Sequence, residues 1–343
     1  MEIFLTFSIF LIFLITLTVF RKVNFLEDTI KYSKHKSFVY NEKKPIIIGG
    51  IYLFSIILFF FPSNLNFIKY FSFLILIIGL LSDSNFINNP TSRFFLQVIV
   101  LLLFIIISGL NIQNINIPFF DQFLLNYNFN IFFTVFCFLV LMNGNNFLDG
   151  LNVLVSGYYL IISLILYFFI SDLSLDLNKQ ILFLLIITLT IFVLFNFFGY
   201  CLLGDSGTYL LGFIYGYILI GLNNDNYYVS PYFIVLLLWF PAFENLFSLL
   251  RRKFIYNKKL SEPDNLHLHQ LIYLFIKNKN IFKLKFCNSL TSLLILFYNF
   301  FIFLIGIKYY YHTKILSLLI IINIINYILI YFFLKRKLIS KKK

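Results

Sequence analysis

The sequence predicts an all-α, polytopic integral membrane protein of about 10–11 transmembrane helices. Three observations carry that prediction. Of 343 residues, 61% are hydrophobic and only 12% are charged, about half the charge of a soluble domain. Mean hydropathy is +0.91. The apolar residues gather into eleven runs, near 2–20, 46–62, 67–81, 94–110, 129–142, 153–170, 181–200, 208–222, 232–250, 287–306 and 315–334. About 20 such residues cross a bilayer core as one helix. Disorder, a disulfide scaffold and an ordinary cytosolic enzyme are excluded.

The run at 2–20 lacks a basic start and a small-residue cleavage site, so it reads as a retained helix rather than a signal peptide. The fifth and eighth runs are short, which predicts a tilted or partly re-entrant segment. Between the fourth and fifth runs, 111–128 alternates weakly and fits a small hairpin. The longest polar stretch, 251–286, reads as a loop with a short amphipathic piece. No internal repeat and no soluble domain interrupt the pattern, so residues 1–343 read as a single membrane domain. Cys137, Cys201 and Cys287 have no metal-ligand spacing and fit packing roles.

Orientation follows from Lys and Arg. With the N-terminus outside and the C-terminus cytoplasmic, the inner segments are 21–45, 82–93, 143–152, 203–207, 251–286 and 335–343. They hold 23 of the 27 basic residues, and only Lys69, Lys179, Lys308 and Lys314 fall elsewhere. The net charge of +13 therefore belongs mainly to the inner face. There it attracts anionic lipid or phosphorylated substrates, and it requires no nucleic-acid partner.

Polar residues at the ends of spans are candidates for chemistry, because charge at membrane depth is tolerated only when buried in protein or facing water. NEKKPIIIGG (41–50) offers Lys43 and Lys44 ahead of a Gly pair suited to close backbone approach. GLLSDSNFINNPTSRFFLQ (79–97) places Asp83 at the end of one span and Arg93 and Gln97 at the start of the next. In LMNGNNFLDGLNVL (141–154), Asn143, Asn146, Asp149 and Asn152 recur every third residue, a drifting helix face offering oxygens for Mg²⁺ and amides for a nucleotide. In LLGDSGTYLLGF (202–213) a Gly-Asp-Ser-Gly turn enters a helix. Its N–H groups suit phosphate, and Asp205 suits a bridging Mg²⁺. RRKFIYNKKLSEPDNLHLHQL (251–271) joins Arg251, Arg252 and Lys253 to His267 and His269. A spacing of two implies a loop or extended piece, and the basic surroundings suit anionic oxygens. Carboxylates, cations and histidines on one membrane face suggest phosphoryl transfer involving a lipid.

In their order, KKPIIIGG, SD…P…R…Q, NGNNFLDGLN, GDSGTYLLG and HLHQL resemble the polyprenyl-phosphate N-acetylhexosamine-1-phosphate transferases, over about residues 40–272. The resemblance implies a Mg²⁺-dependent enzyme of the bacterial cytoplasmic membrane. A polyprenyl phosphate, such as undecaprenyl phosphate, would attack the sugar-linked phosphorus of a UDP-sugar and release UMP. Such a reaction begins envelope polymers such as O-antigen lipopolysaccharide. By motif, Asp205 matches the metal-binding Asp, and Asp149 a catalytic or metal-supporting Asp. Asn146 matches the Asn before it, and His267 and His269 match the loop around the phosphates. Asp83 is expected to position the carrier phosphate or Mg²⁺ rather than act as a base. Lys43, Lys44, Asn143, Asn152 and Arg252 are expected substrate contacts. The chain departs from the family pattern at the usual Asp-Asp pair, which falls on Ser82 and Asp83 counted from Gly79 or begins at Asp83 counted back from Pro90, at Asn152 (often Asp) and at Gln270 (usually His). The sugar and the oligomeric state are open, a homodimer included. The competing reading is a transporter or flippase of lipid-linked or anionic solutes.

Overall fold

Apolar runs in lipid must satisfy their backbone polar groups internally, and helices do so within one segment. A computed structural model describes residues 2–23, 26, 45–169, 176–255, 257, 266–280 and 282–339. Each of the eleven runs contains a helix or most of one. The order is α1 (Glu2–Val23), α2 (Gly49–Phe60), α3 (Asn66–Asp83), α4 (Pro90–Ser108), α5 (Pro118–Leu124), α6 (Tyr127–Leu148) and α7 (Leu154–Phe169). It continues with α8 (Asp176–Phe197), α9 (Gly204–Asp225), α10 (Pro231–Leu250), α11 (Leu268–Asn278), α12 (Leu284–Lys308) and α13 (Thr313–Ile339).

Among the described residues, eight helices are long and apolar enough to cross a bilayer: α1, α3, α4, α6, α8, α10, α12 and α13. The expected ten or eleven would also count shorter or more polar helices, α2, α7 and α9. At 1.5 Å per residue, the 12-residue α2 spans roughly 18 Å, short of a core about 30 Å thick. α7 is also short, and α9 carries several Gly, Tyr and Asn residues and is buried along nearly its whole length. It forms the centre of the bundle and packs on α2, α3 and α6.

Local chemistry sets the ends. Asn89, Asn126 and Ser230 accept hydrogen bonds from the N–H groups of Thr91, Phe129 and Tyr232, capping α4, α6 and α10. Pro90 and Pro231 stand at first-turn positions, where the missing N–H costs nothing. Pro241 lies inside α10, so the carbonyl of Leu237 loses its helical donor. The Tyr158 hydroxyl on α7 supplies the replacement at 2.8 Å. Segment 111–128 forms no hairpin. Pro118 starts α5 there, and Asp121 Oδ1 accepts from the Ile115 N–H at 2.8 Å. Within 251–286 the amphipathic piece is α11. Among the described residues one two-residue parallel pair joins the helices, β1 (Ile46–Ile47) with β2 (Cys201–Leu202).

Chain alternation sorts the helix ends into two groups. The ends of α3, α6 and α10 and the starts of α4, α9 and α11 share one end of the bundle. At the opposite end Asn224 Nδ2 donates to the Asn111 carbonyl at 2.7 Å, and the hydroxyls of Ser230 and Thr313 meet at 2.9 Å. Cys201 and Cys287 are buried and all three cysteines are free, in keeping with packing roles.

Candidate active site

A helix start leaves four backbone N–H groups without intrahelical partners, and α9 has no capping side chain of its own at Leu203. Its partners come from elsewhere. Asp83, the last residue of α3, accepts the Asp205 N–H on Oδ1 at 2.8 Å. On Oδ2 it accepts the Ser206 N–H at 3.1 Å and the Ser206 hydroxyl at 2.7 Å. Asp149, at the end of α6, accepts the Gly204 N–H on Oδ2 at 3.2 Å. The negative carboxylates also meet the positive end of the helix dipole. These N–H groups were expected to suit phosphate; here protein carboxylates take them up.

Small residues let the elements come this close. An added Cβ on Gly79 would stand 2.2 Å from Ser206 Cα, and one on Gly50 would stand 2.4 Å from Ser206 Oγ. Gly204 has φ +74°, and its Cβ would lie 2.8 Å from Asp83 Oδ2. Only glycine takes that backbone without strain. The Gly pair of the first motif therefore serves close approach to a helix.

Asp205 points the other way. Arg93 Nη1 donates to its Oδ2 at 2.7 Å, and the Ser82 hydroxyl donates to the same oxygen. The ion pair keeps some access, with side-chain exposures of 23% for Arg93 and 18% for Asp205. Ser82, beside Asp83, thus contacts this carboxylate as a neutral donor. Gln97 Oε1, one turn beyond Arg93 on α4, accepts from Asn143 Nδ2 on α6 at 3.0 Å. Asn146 Nδ2 is buried with no protein partner among the described residues.

The turn carrying Asp149 is anchored from two sides. Asn288 Oδ1 accepts the Asn152 N–H at 2.7 Å, and Asn196 Oδ1 accepts the Val153 N–H. Val153 has φ +71°, rare for a β-branched residue, and these two bonds hold it there. Asn152, an expected nucleotide contact, is tied through its backbone to α12. Its observed bond serves the turn.

The histidines reach the same end of the bundle. His267 is the N-cap of α11 and His269 lies in its first turn. His267 keeps the extended backbone that the spacing implied, and the helix begins between the two histidines. Because His267 is non-helical, the two rings can stack, with centroids 5.6 Å apart. A Cβ on Gly150, next to Asp149, would be 3.0 Å from His269 Nε2, so the histidine and aspartate motifs adjoin. The Arg252 guanidinium lies 5.2 Å over the Phe147 ring, which is itself 5.3 Å from the His267 ring. Lys43 and Lys44 lie outside the described residues, as does most of 21–45.

Burial pushes the pKa of His269 down to about 3, with nearby His267 and Arg251 adding to the effect and Glu244 opposing it. Its ring is neutral at pH 7. Since the folded value is below the unfolded one, folding favours the unprotonated form, and stability is lost as pH falls from about 6.5 toward 3. Wild-type melting temperature is therefore expected to fall between pH 7 and pH 4 more steeply than that of His269→Asn. Parallel curves in a thermal-melt series would contradict this.

Magnesium takes hard oxygen ligands, keeps several waters and commonly binds one or two carboxylates together with substrate phosphates. Asp149 accepts from Gly204, the residue before Asp205, and both side-chain hydrogen bonds to the Asp205 carboxylate end on Oδ2. No group of three or more His, Cys, Asp or Glu able to hold a metal ion occurs among the described residues. The donors fit an ion that completes its shell with phosphate oxygens and water.

Glu244 was not singled out by sequence. It is fully buried on α10, and its Oε1 lies 2.8 Å from His267 Nδ1. One acidic residue within the apolar run 232–250 was the available signal.

No curated protein matched the chain. Residues 65–223 match the pattern of glycosyl transferase family 4, a stretch that contains Asp83, Arg93, Asp149 and Asp205. Over that stretch, a little under half of its length, this multi-pass helical membrane protein is similar to glycosyl transferase family 4.

Proposed function

We propose that the chain transfers an N-acetylhexosamine-1-phosphate from a UDP-sugar to polyprenyl phosphate at the cytoplasmic face of a bacterial membrane, as a first step of envelope polysaccharide assembly. One observation carries the proposal: Asp83, Asp149 and Asp205, from three connections far apart in sequence, gather around the start of α9 beside Arg93. The histidine motif adjoins them at Gly150.

An oxygen of the lipid phosphate forms a bond to the sugar-linked phosphorus. The bond from that phosphorus to the bridging oxygen breaks, and UMP leaves with the electron pair. The second pKa of a phosphate monoester is about 6, so the nucleophile is largely ionised at neutral pH and needs no base. That agrees with an Asp83 engaged by α9. Orientation and charge neutralisation then lower the barrier. Arg93, Arg252, His267 and His269 would surround the diphosphate oxygens, with Asn143 and Asn146 as amide contacts. Mg²⁺, when bound by Asp205 and Asp149, would supply further neutralisation of phosphate charge. An apolar cavity of about 220 Å³ between α6, α9 and α10, lined by Phe133, Phe136, Phe138, Leu219, Ile234 and Val235, offers a seat for isoprenoid units of the carrier.

Purified full-length protein with undecaprenyl phosphate, Mg²⁺ and a panel of UDP-sugars is expected to release UMP with at least one UDP-N-acetylhexosamine, and to stop on chelation. No release with any donor would contradict the proposal.

A further inference from the structure

The matched family stretch ends at residue 223, before a buried polar network that the proposed chemistry leaves unexplained. Glu244 has no solvent exposure. A buried carboxylate is costly unless both oxygens find partners, and both do. Oε1 meets His267 Nδ1 at 2.8 Å, and Oε2 accepts the Tyr327 hydroxyl at 2.7 Å. Tyr327 lies on α13, whose ring also packs edge-on against Phe243 and Phe247 of α10. Arg251, buried one turn further along, donates to the Leu266 carbonyl at 2.6 Å, just before His267. The Gln270 side chain accepts the His267 N–H at 3.2 Å.

Backbone, ring and entry strand of His267 are therefore each held. The group that meets an imidazole nitrogen determines which nitrogen carries the proton. A carboxylate at Nδ1 makes that atom the donor and leaves Nε2 as the atom able to meet a ligand.

We propose that Glu244 is a positioning residue that fixes the tautomer and orientation of His267, with Tyr327 of α13 holding the carboxylate in place. The last helix, far beyond the matched stretch, thereby supports the reacting centre. Gln270, where the related motif usually has a third His, serves the same ring through the backbone.

The proposal rests on the transferase reading, so its test has two arms. In the first, UMP release is measured for Glu244→Gln, which keeps volume, and for Tyr327→Phe, each alone and combined with His267→Gln. Glu244→Gln is expected to lower kcat on the order of tenfold, as when a partner fixing a histidine ring is lost, with KM little changed. In the His267→Gln background the further loss is expected to fall below about twofold, since coupled residues are non-additive. Tyr327→Phe should show the same coupling with a smaller loss. Equal losses in both backgrounds would overturn the positioning role. The second arm needs no activity. The chain has 4 His, so the His267 signal in ¹⁵N-histidine NMR is identified by its disappearance in His267→Gln. An Nδ1–H tautomer in the wild type that is lost in Glu244→Gln supports the proposal. A tautomer unchanged by that substitution overturns it, whatever the substrate proves to be.

Discussion

Asp205→Asn is expected to reduce UMP release by at least about 10³-fold, the size of several kcal/mol of lost charge stabilisation at a reacting phosphoryl group. The fold should survive. Asp205 is partly exposed, and the hydrogen bonds it receives from Arg93 and Ser82 end on Oδ2, which an amide oxygen can replace. A partly exposed ion pair contributes about 1 kcal/mol or less, equivalent to a few degrees of melting temperature at most for a chain of this size. Parallel turnover and melting assays separate the two effects. Wild-type turnover in this variant would remove Asp205 from the metal assignment.

Asp83→Ala should fail in the opposite manner. The Asp83 carboxylate accepts three donors at the start of α9, and α9 is the central helix of the bundle. Losing a helix cap costs about 1 kcal/mol, and each buried donor left unsatisfied costs about 1–3 kcal/mol more. Melting temperature and activity are expected to fall together. Asp83→Asn should lie between wild type and Asp83→Ala, and its pH–rate profile should keep the wild-type shape because no base is removed. A stable Asp83→Ala protein without turnover would instead place Asp83 on the substrate.

Much of this arrangement was legible in the residues, and the exceptions have physical causes. The apolar runs had to be helices because lipid offers no hydrogen-bond partners. Whether each helix spans by itself depends on burial against neighbours, which is why α9 did not read as the buried centre. The alternation at 111–128 lost to Pro118, whose fixed φ suits a helix start. Asp149 and Asp205 stood out as span-end carboxylates, and Asp149 accepts from Gly204, the residue before Asp205. A helix cap was one reading of Asp83, but that it caps α9 could not be read, since α9 begins where α3 ends only in the folded chain, 122 residues later for the first bond. Asn196 and Asn288, which hold the Asp149 turn, were hidden by the abundance of Asn. Glu244 was within reach of the rule that an acid inside an apolar run needs a partner. Its partner Tyr327, 83 residues away, was not.

The most direct test follows the phosphorus. The protein, with Mg²⁺ and undecaprenyl phosphate, is given the accepted UDP-N-acetylhexosamine labelled with ³²P at the sugar-linked position. The label is predicted to enter the organic phase with the lipid, in proportion to the UMP released. Label left in the aqueous phase while sugar enters the lipid would mean glycosyl transfer without phosphate, and would contradict the account.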